Sequence, residues 1–196
     1  MDDFPWKIME KKLEEQKIAG SLVLDQRKTM LEMVGEKKFL EALSILPLER
    51  RQEFDSLIPV SWCPISLIHE VVDSVAKGIG QDPAEFQSEV ARQGISRTLM
   101  GLWRTLLHLT TDEFLVKRAS LLFSKSYERG KLMAHVPEPG HAVIQLYDWP
   151  DIADRDIRSI SAGIGAVLTV AGRKNVLMKA QRKDDLIEYT ALWRTR

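Results

Sequence analysis

Cysteine is nearly absent: one residue, Cys63, occurs in 196. A lone thiol excludes an internal disulfide and a zinc site built on several thiolates. Net charge is absent too. Lys+Arg and Asp+Glu both total 28, so nothing global draws the chain to nucleic acid, an anionic membrane or an acidic substrate. The longest apolar runs fall far short of the ~20 residues needed to cross a bilayer. The start, Met1-Asp2-Asp3-Phe4-Pro5, lacks the basic segment and apolar core of a secretory signal. Internal repeats and low-complexity stretches are missing as well. The expectation is a cytoplasmic protein with no membrane span, whose partner is recognised locally.

What is present suffices for one core, since 44% of residues are hydrophobic and the length favours a single domain. Residues 7–17 are mostly charged, with sparse apolar positions, and read as part of a helical appendage over 1–19. The domain is drawn as 20–196. Ser21-Leu22-Val23-Leu24 reads as a short strand or capped turn, and helical spacing starts at Asp25, with stops at Gly35 and Pro47. A short helix follows over 49–58. Pro59 and Pro64 bracket a linker into a long helix striped by Ile65, Ile68, Val71, Val72, Val75 and Ile79. Asp82-Pro83, with Glu85 beyond, starts another helix that continues through Val90, Leu99, Leu102 and Leu106. Gly94 and Gly101 within it mark a kink or a close contact. Thr110 opens a last helix of this series, carrying Phe114, Leu115, Leu121, Leu122 and Phe123 to Gly130.

After Gly130 the period becomes two. Leu132, Ala134 and Val136 alternate, residues 137–140 turn, and Ala142, Ile144 and Leu146 resume the alternation. Beyond one more helix, Val176, Met178 and Ala180 form a third strand, and Ile187, Tyr189, Ala191 and Trp193 a fourth. Helices followed by β-β-α-β-β define an α+β class: an N-terminal helical layer on a C-terminal four-stranded antiparallel sheet.

The helix enclosed by those strands, expected over 151–171, has Asp151, Asp154 and Asp156 at its start and Arg173 and Lys174 after its end, matching the helix dipole. Ile157, Ile160, Ile164, Val167 and Leu168 form a broad face for the sheet. Ser159, Gly163, Ala166 and Val170 form a smaller face that admits close approach by an N-terminal helix or by the second chain of a homodimer. Gly163-Ile164-Gly165 lacks the third glycine and the preceding strand of a dinucleotide loop.

Gly20-Ser21-Leu22-Val23, Leu46-Pro47, Trp62-Cys63-Pro64, Tyr127-Glu128-Arg129-Gly130 and Thr190-Ala191-Leu192-Trp193 together resemble a family of uncharacterised bacterial paralogous domains. That family is similar to the superfamily of haem-nitric-oxide-binding domains, 4-vinyl-reductase-type domains and TRAPP tethering subunits. The resemblance spans about residues 20–194. It implies helices packed on an antiparallel sheet, with an interlayer space for haem or another apolar molecule, or a dimeric interaction module.

Haem-nitric-oxide-binding domains ligate iron through a helical histidine, so His69 and His108 are haem-ligand candidates, joined by Cys63, whose Cys-Pro dipeptide is a known thiolate-ligand pattern. The tyrosine-serine-arginine constellation that holds the propionates in those domains has no counterpart here. No cofactor is required by the sequence, and no histidine falls in a metal-binding spacing. Trp62, Trp103, Leu99 and Leu106 are candidates for lining a pocket between helix and sheet. Arg173, Lys174, Lys179, Arg182 and Lys183 read as a solvated edge that discourages sheet-to-sheet pairing. No residues assemble into a catalytic motif. The expected function is a non-enzymatic regulatory or signalling module for a small apolar ligand or a signalling protein, working as a homodimer. A haem-based gas or redox sensor and an enzyme of unknown reaction are the alternatives.

Overall fold

The change of period at Gly130 separates two packing regimes. A computed structural model describes residues 15–100 and 102–194, without the side chains of Leu102, Trp103 and Lys117. Most of the charged lead-in, Gly101 and the Trp103 indole therefore lie outside the described residues.

The first regime is helical: α1 (Gly20–Val34), α2 (Glu36–Ile45), α3 (Leu48–Asp55), α4 (Ile65–Gly78) and α5 (Pro83–Thr98). A two-stranded antiparallel sheet of β1 (Lys17–Ala19) and β2 (Trp62–Pro64) sets the ends of α1 and α4 side by side. Two expectations change here. Trp62-Cys63-Pro64 is a strand rather than a linker, with Cys63 opposite Ile18, and residues 17–19, drawn with the helical appendage, form the strand that pairs with it. Helix α1 begins at Gly20, ahead of Asp25, because the Gly20 amide donates to Ser61 O at 2.7 Å and a side chain there would collide with the Ile58 carbonyl. Asp82 caps α5 as expected, accepting from the amides of Ala84 and Glu85. The predicted continuous helix beyond it is broken: α5 ends at Thr98 and α6 spans Leu102–His108.

The second regime holds α7 (Asp112–Ser126), β3 (Lys131–Glu138), β4 (His141–Tyr147), α8 (Asp154–Val170), β5 (Lys174–Lys183) and β6 (Leu186–Arg194). The four strands are antiparallel in the order β3-β4-β6-β5. The expected alternation holds, with Ala142, Ile144 and Leu146 on β4 and Ile187, Tyr189, Ala191 and Trp193 on β6 all buried. The strands at the rim are less covered, and Ala180 on β5 is exposed. Helix α7 presents a narrower stripe than its spacing suggests: Val116 and Phe123 are buried, while Phe114, Leu121 and Leu122 face solvent.

Buried apolar residues fall into two clusters. One joins α1–α5 around Phe39, Phe54, Leu67 and Phe86; the other joins α7, α8 and the sheet around Phe123, Leu146, Tyr189 and Trp193. Ile65 and Tyr127 touch both. Tyr127 also stacks on Phe123 at 4.7 Å, leans on Trp149 at 5.5 Å and bridges to Ile18. It is the seam of the molecule.

Candidate functional site

Beside that seam lies an apolar, partly open cavity of about 220 Å³. Leu22 and Gln26 from α1, Val90 and Ile95 from α5, Val116 and Phe123 from α7, Ala142 and Ile144 from β4, and Ile160 and Ile164 from α8 contribute to its wall. It exists because α8 has two apolar faces. One packs toward the sheet. The other turns to α5, where Gly163 leaves its would-be Cβ 3.9 Å from the Ile95 side chain. Ser159 and Gly163 are part of the cavity wall, and Ser159, Ala166 and Val170 are buried within this one chain. Gly163 of the small-residue face thus meets the chain's own helical layer. Gly94 plays the matching role on α5, since a Cβ there would come within 3.1 Å of both Asp25 Oδ2 and Thr29 Oγ1.

The sequence-derived pocket residues sit elsewhere. Trp62 is 44% exposed on β2 and Leu106 is 47% exposed on α6. Leu99 lies in the break after α5, and none of the three belongs to the cavity wall. The break redirects the chain just where a continuous helix would have carried Leu99 and Leu106 along one inward face.

The three iron-ligand candidates are likewise dispersed. Cys63 is fully buried under the helical cluster, and its thiol donates weakly to Pro64 O at 3.4 Å. His69 meets the buried carboxylate of Asp156, Nε2 to Oδ1 at 2.8 Å, and Gln87 donates to the same oxygen at 2.9 Å. Arg155 in turn donates to Gln87 Oε1 at 2.5 Å and pairs with Asp73 at 2.7 Å. Asp156 therefore serves as a polar joint tying α4 and α5 to α8 rather than as a solvated charge at a helix start. His108 lines a separate polar pocket with Asp112 and Arg173.

Arg173 corrects the reading of a wholly solvated basic edge. Its guanidinium is largely buried, bonds Asp112 at 2.6 Å and 2.9 Å, and also donates to Thr110 O and Ala171 O. It clamps the start of α7 to the end of α8. Arg182 reaches back from β5 to Ile152 O and Asp154.

A helical layer folded over one face of a four-stranded antiparallel sheet, with an apolar space between them, defines an H-NOX-like fold. Similar solved structures include a double variant of Tt H-NOX, 14% identical, covering 90% of this chain and 95% of that one at a TM-score of 0.66. A Cs H-NOX carrying an unnatural amino acid is 14% identical over 90% of this chain and 97% of that one, at 0.65. An oxygen-binding H-NOX domain related to soluble guanylate cyclases, in its oxygen complex, is 14% identical over 90% and 95%, at 0.62. The likeness is one of fold. No known family description and no curated protein matches the sequence.

Haem distortion is the subject of one of the similar H-NOX structures, so the fit of haem to this cavity can be tested residue by residue. Among the described residues its wall offers no histidine, cysteine or methionine to iron and no arginine or lysine to propionates. Tyr127 is the remaining conceivable ligand, but burial, reinforced by Asp156, pushes its phenol well above the ordinary value and disfavours the tyrosinate that iron would need. The volume also lies below the ~300 Å³ at which pockets for drug-sized ligands begin, and a tetrapyrrole is larger still. The wall of this cavity does not fit haem.

Nothing in the sequence marked Gln26. The available signal was its place four residues after Leu22, a polar side chain within an apolar helix stripe. The sequence drew attention to Tyr127 and Asp156, as part of a motif and as a helix-dipole charge, but not to the joint and seam they form.

Proposed function

We propose that this chain is a non-enzymatic regulatory or signalling module whose interlayer cavity takes a small apolar molecule. The observation that carries this is the cavity itself: an apolar chamber walled by both layers, where a bound molecule would bear on α1, α5, α7, α8 and the sheet together. Kinship with 4-vinyl-reductase-type domains and TRAPP subunits, implied by the sequence resemblance, is part of this reading, as are cytoplasmic location and homodimerisation. Among the described residues no helix is long and apolar enough to cross a membrane.

Native mass spectrometry of freshly purified protein reads retained ligand and oligomeric state together. Thermal unfolding with added small hydrophobes then measures occupancy. A ligand at a hundred times its Kd adds about 2.7 kcal/mol of stability, and Ala119→Leu, which fills part of the cavity, should abolish that gain. A strictly monomeric protein that is not stabilised by any hydrophobe would remove the proposal.

A haem-based gas or redox sensor is the second reading, supported by the H-NOX fold of the neighbours. It expects a Soret band after expression with haem supply, lost on His69→Ala, His108→Ala or Cys63→Ala. Colourless protein that fails to take up haemin would remove this second reading.

A further inference from the structure

We propose that the cavity selects neutral one- or two-ring molecules carrying a hydrogen-bond donor, and that Gln26 reads that donor. The inference rests on the cavity being a ligand site, as proposed above. Gln26 belongs to the cavity wall, and its Oε1 is buried with no hydrogen-bond partner among the described residues. Folded chains pair nearly all such buried carbonyl oxygens, because one left bare has lost water and gained nothing. An unpaired acceptor in the wall of an otherwise apolar chamber therefore marks where a ligand's N–H or O–H belongs.

Of the other polar wall groups, Asp25 and Ser126 are already engaged, while the Ser159 and Tyr127 hydroxyls can donate as well as accept and so impose no preference of their own. Asp25 Oδ1 accepts from Arg97 at 2.5 Å and from Thr98 at 3.2 Å, and the Ser126 hydroxyl donates to Leu122 O at 3.0 Å. Asp25 is already ion-paired with Arg97, which also bonds Glu32, and no lysine or arginine lines the described wall, so a cation would have to compete with a formed pair and an anion finds no counter-charge. The ligand is neutral. Size narrows it further: about 220 Å³ lies between the ~150 Å³ of an apolar cavity that holds benzene and the ~300 Å³ at which drug-sized pockets begin.

Three isosteric bicycles separate the possibilities: indole carries an N–H donor, benzofuran an acceptor oxygen, and indene neither. Calorimetric titration of the full chain should show indole binding about tenfold more tightly than the other two, the scale of one hydrogen bond made against one left unmade. Gln26→Leu should lower indole affinity to that of indene while leaving indene binding intact, which also reports that the variant is folded. Gln26→Met, with an unbranched side chain, replaces it if the leucine variant does not fold. Equal affinities in the unmodified protein, a benzofuran preference, or an indole preference that survives the substitution would each overturn the role of Gln26. Failure of all three molecules to bind would instead remove the cavity as their site.

Discussion

Cys63 shows how burial decides chemistry at a single residue. With no exposed surface, its thiol is pushed up from 9.0 to about 12, first by desolvation and then by the nearby charge of Glu53. At neutral pH it is a small apolar side chain that does not react. The native state holds a proton that the unfolded chain releases above pH 9.0, so this contribution to stability is complete below that value and is lost as pH rises toward about 12. Urea unfolding across that alkaline range should therefore show a steeper decline for the unmodified protein than for Cys63→Ala, and a thiol reagent should leave Cys63 unmodified until the protein unfolds. Identical alkaline slopes would show that the thiol does not contribute. Alternation along β6 made the burial of Tyr189 readable from sequence, but not the fact that its buried hydroxyl finds no partner among the described residues. Periodicity reports which way a side chain points. It does not report what waits there.

At the scale of elements, α8 was the most legible part of the chain. Its large-residue face and its small-residue face both follow from spacing alone; Ile157, Ile160 and Leu168 join the sheet cluster, and Gly163 faces Ile95 of α5. Its start was less legible: the helix begins at Asp154, since Asp151 precedes the Ala153 cap and Asp156 turns inward to His69 and Gln87. Gly163 allows a direct test of the packed face. A methyl group there meets Ile95 at an ordinary 3.9 Å, so Gly163→Ala should stabilise the helix by up to ~1 kcal/mol through propensity. Gly163→Leu should cost about 1–3 kcal/mol by overfilling the space before α5 and should weaken ligand binding. Chemical denaturation of the pair checks the order. A leucine variant as stable as the alanine one would mean that α5 yields there. The break between α5 and α6 was not legible, because apolar spacing runs straight through it, and Gly94 and Gly101 marked no more than a kink or a close contact.

For the whole molecule, the order of helices and then β-β-α-β-β was readable because each change of period is local. The cavity was not, since its walls come from α1 and α8, more than a hundred residues apart, and no local pattern records how two layers fail to fill the space between them. Among the described residues, the two apolar clusters that flank this space share Ile65 and Tyr127 as common apolar members, and the packing of α5 on α8 with the His69–Asp156, Gln87–Asp156 and Arg155–Asp73 contacts ties them further. Native-state hydrogen exchange should resolve two opening free energies, one for amides of α2 and α4 and one for β4 and β6. A single shared value would show that the clusters already open as one unit. Tyr127 then becomes more than a packed ring between layers. It stands where the two clusters meet, beside the packing of α5 on α8, so a molecule settling beside it would act as added mortar. If the cavity takes a ligand as proposed, occupancy would tighten the coupling between the two clusters, a change carried by cooperativity with little movement of the backbone.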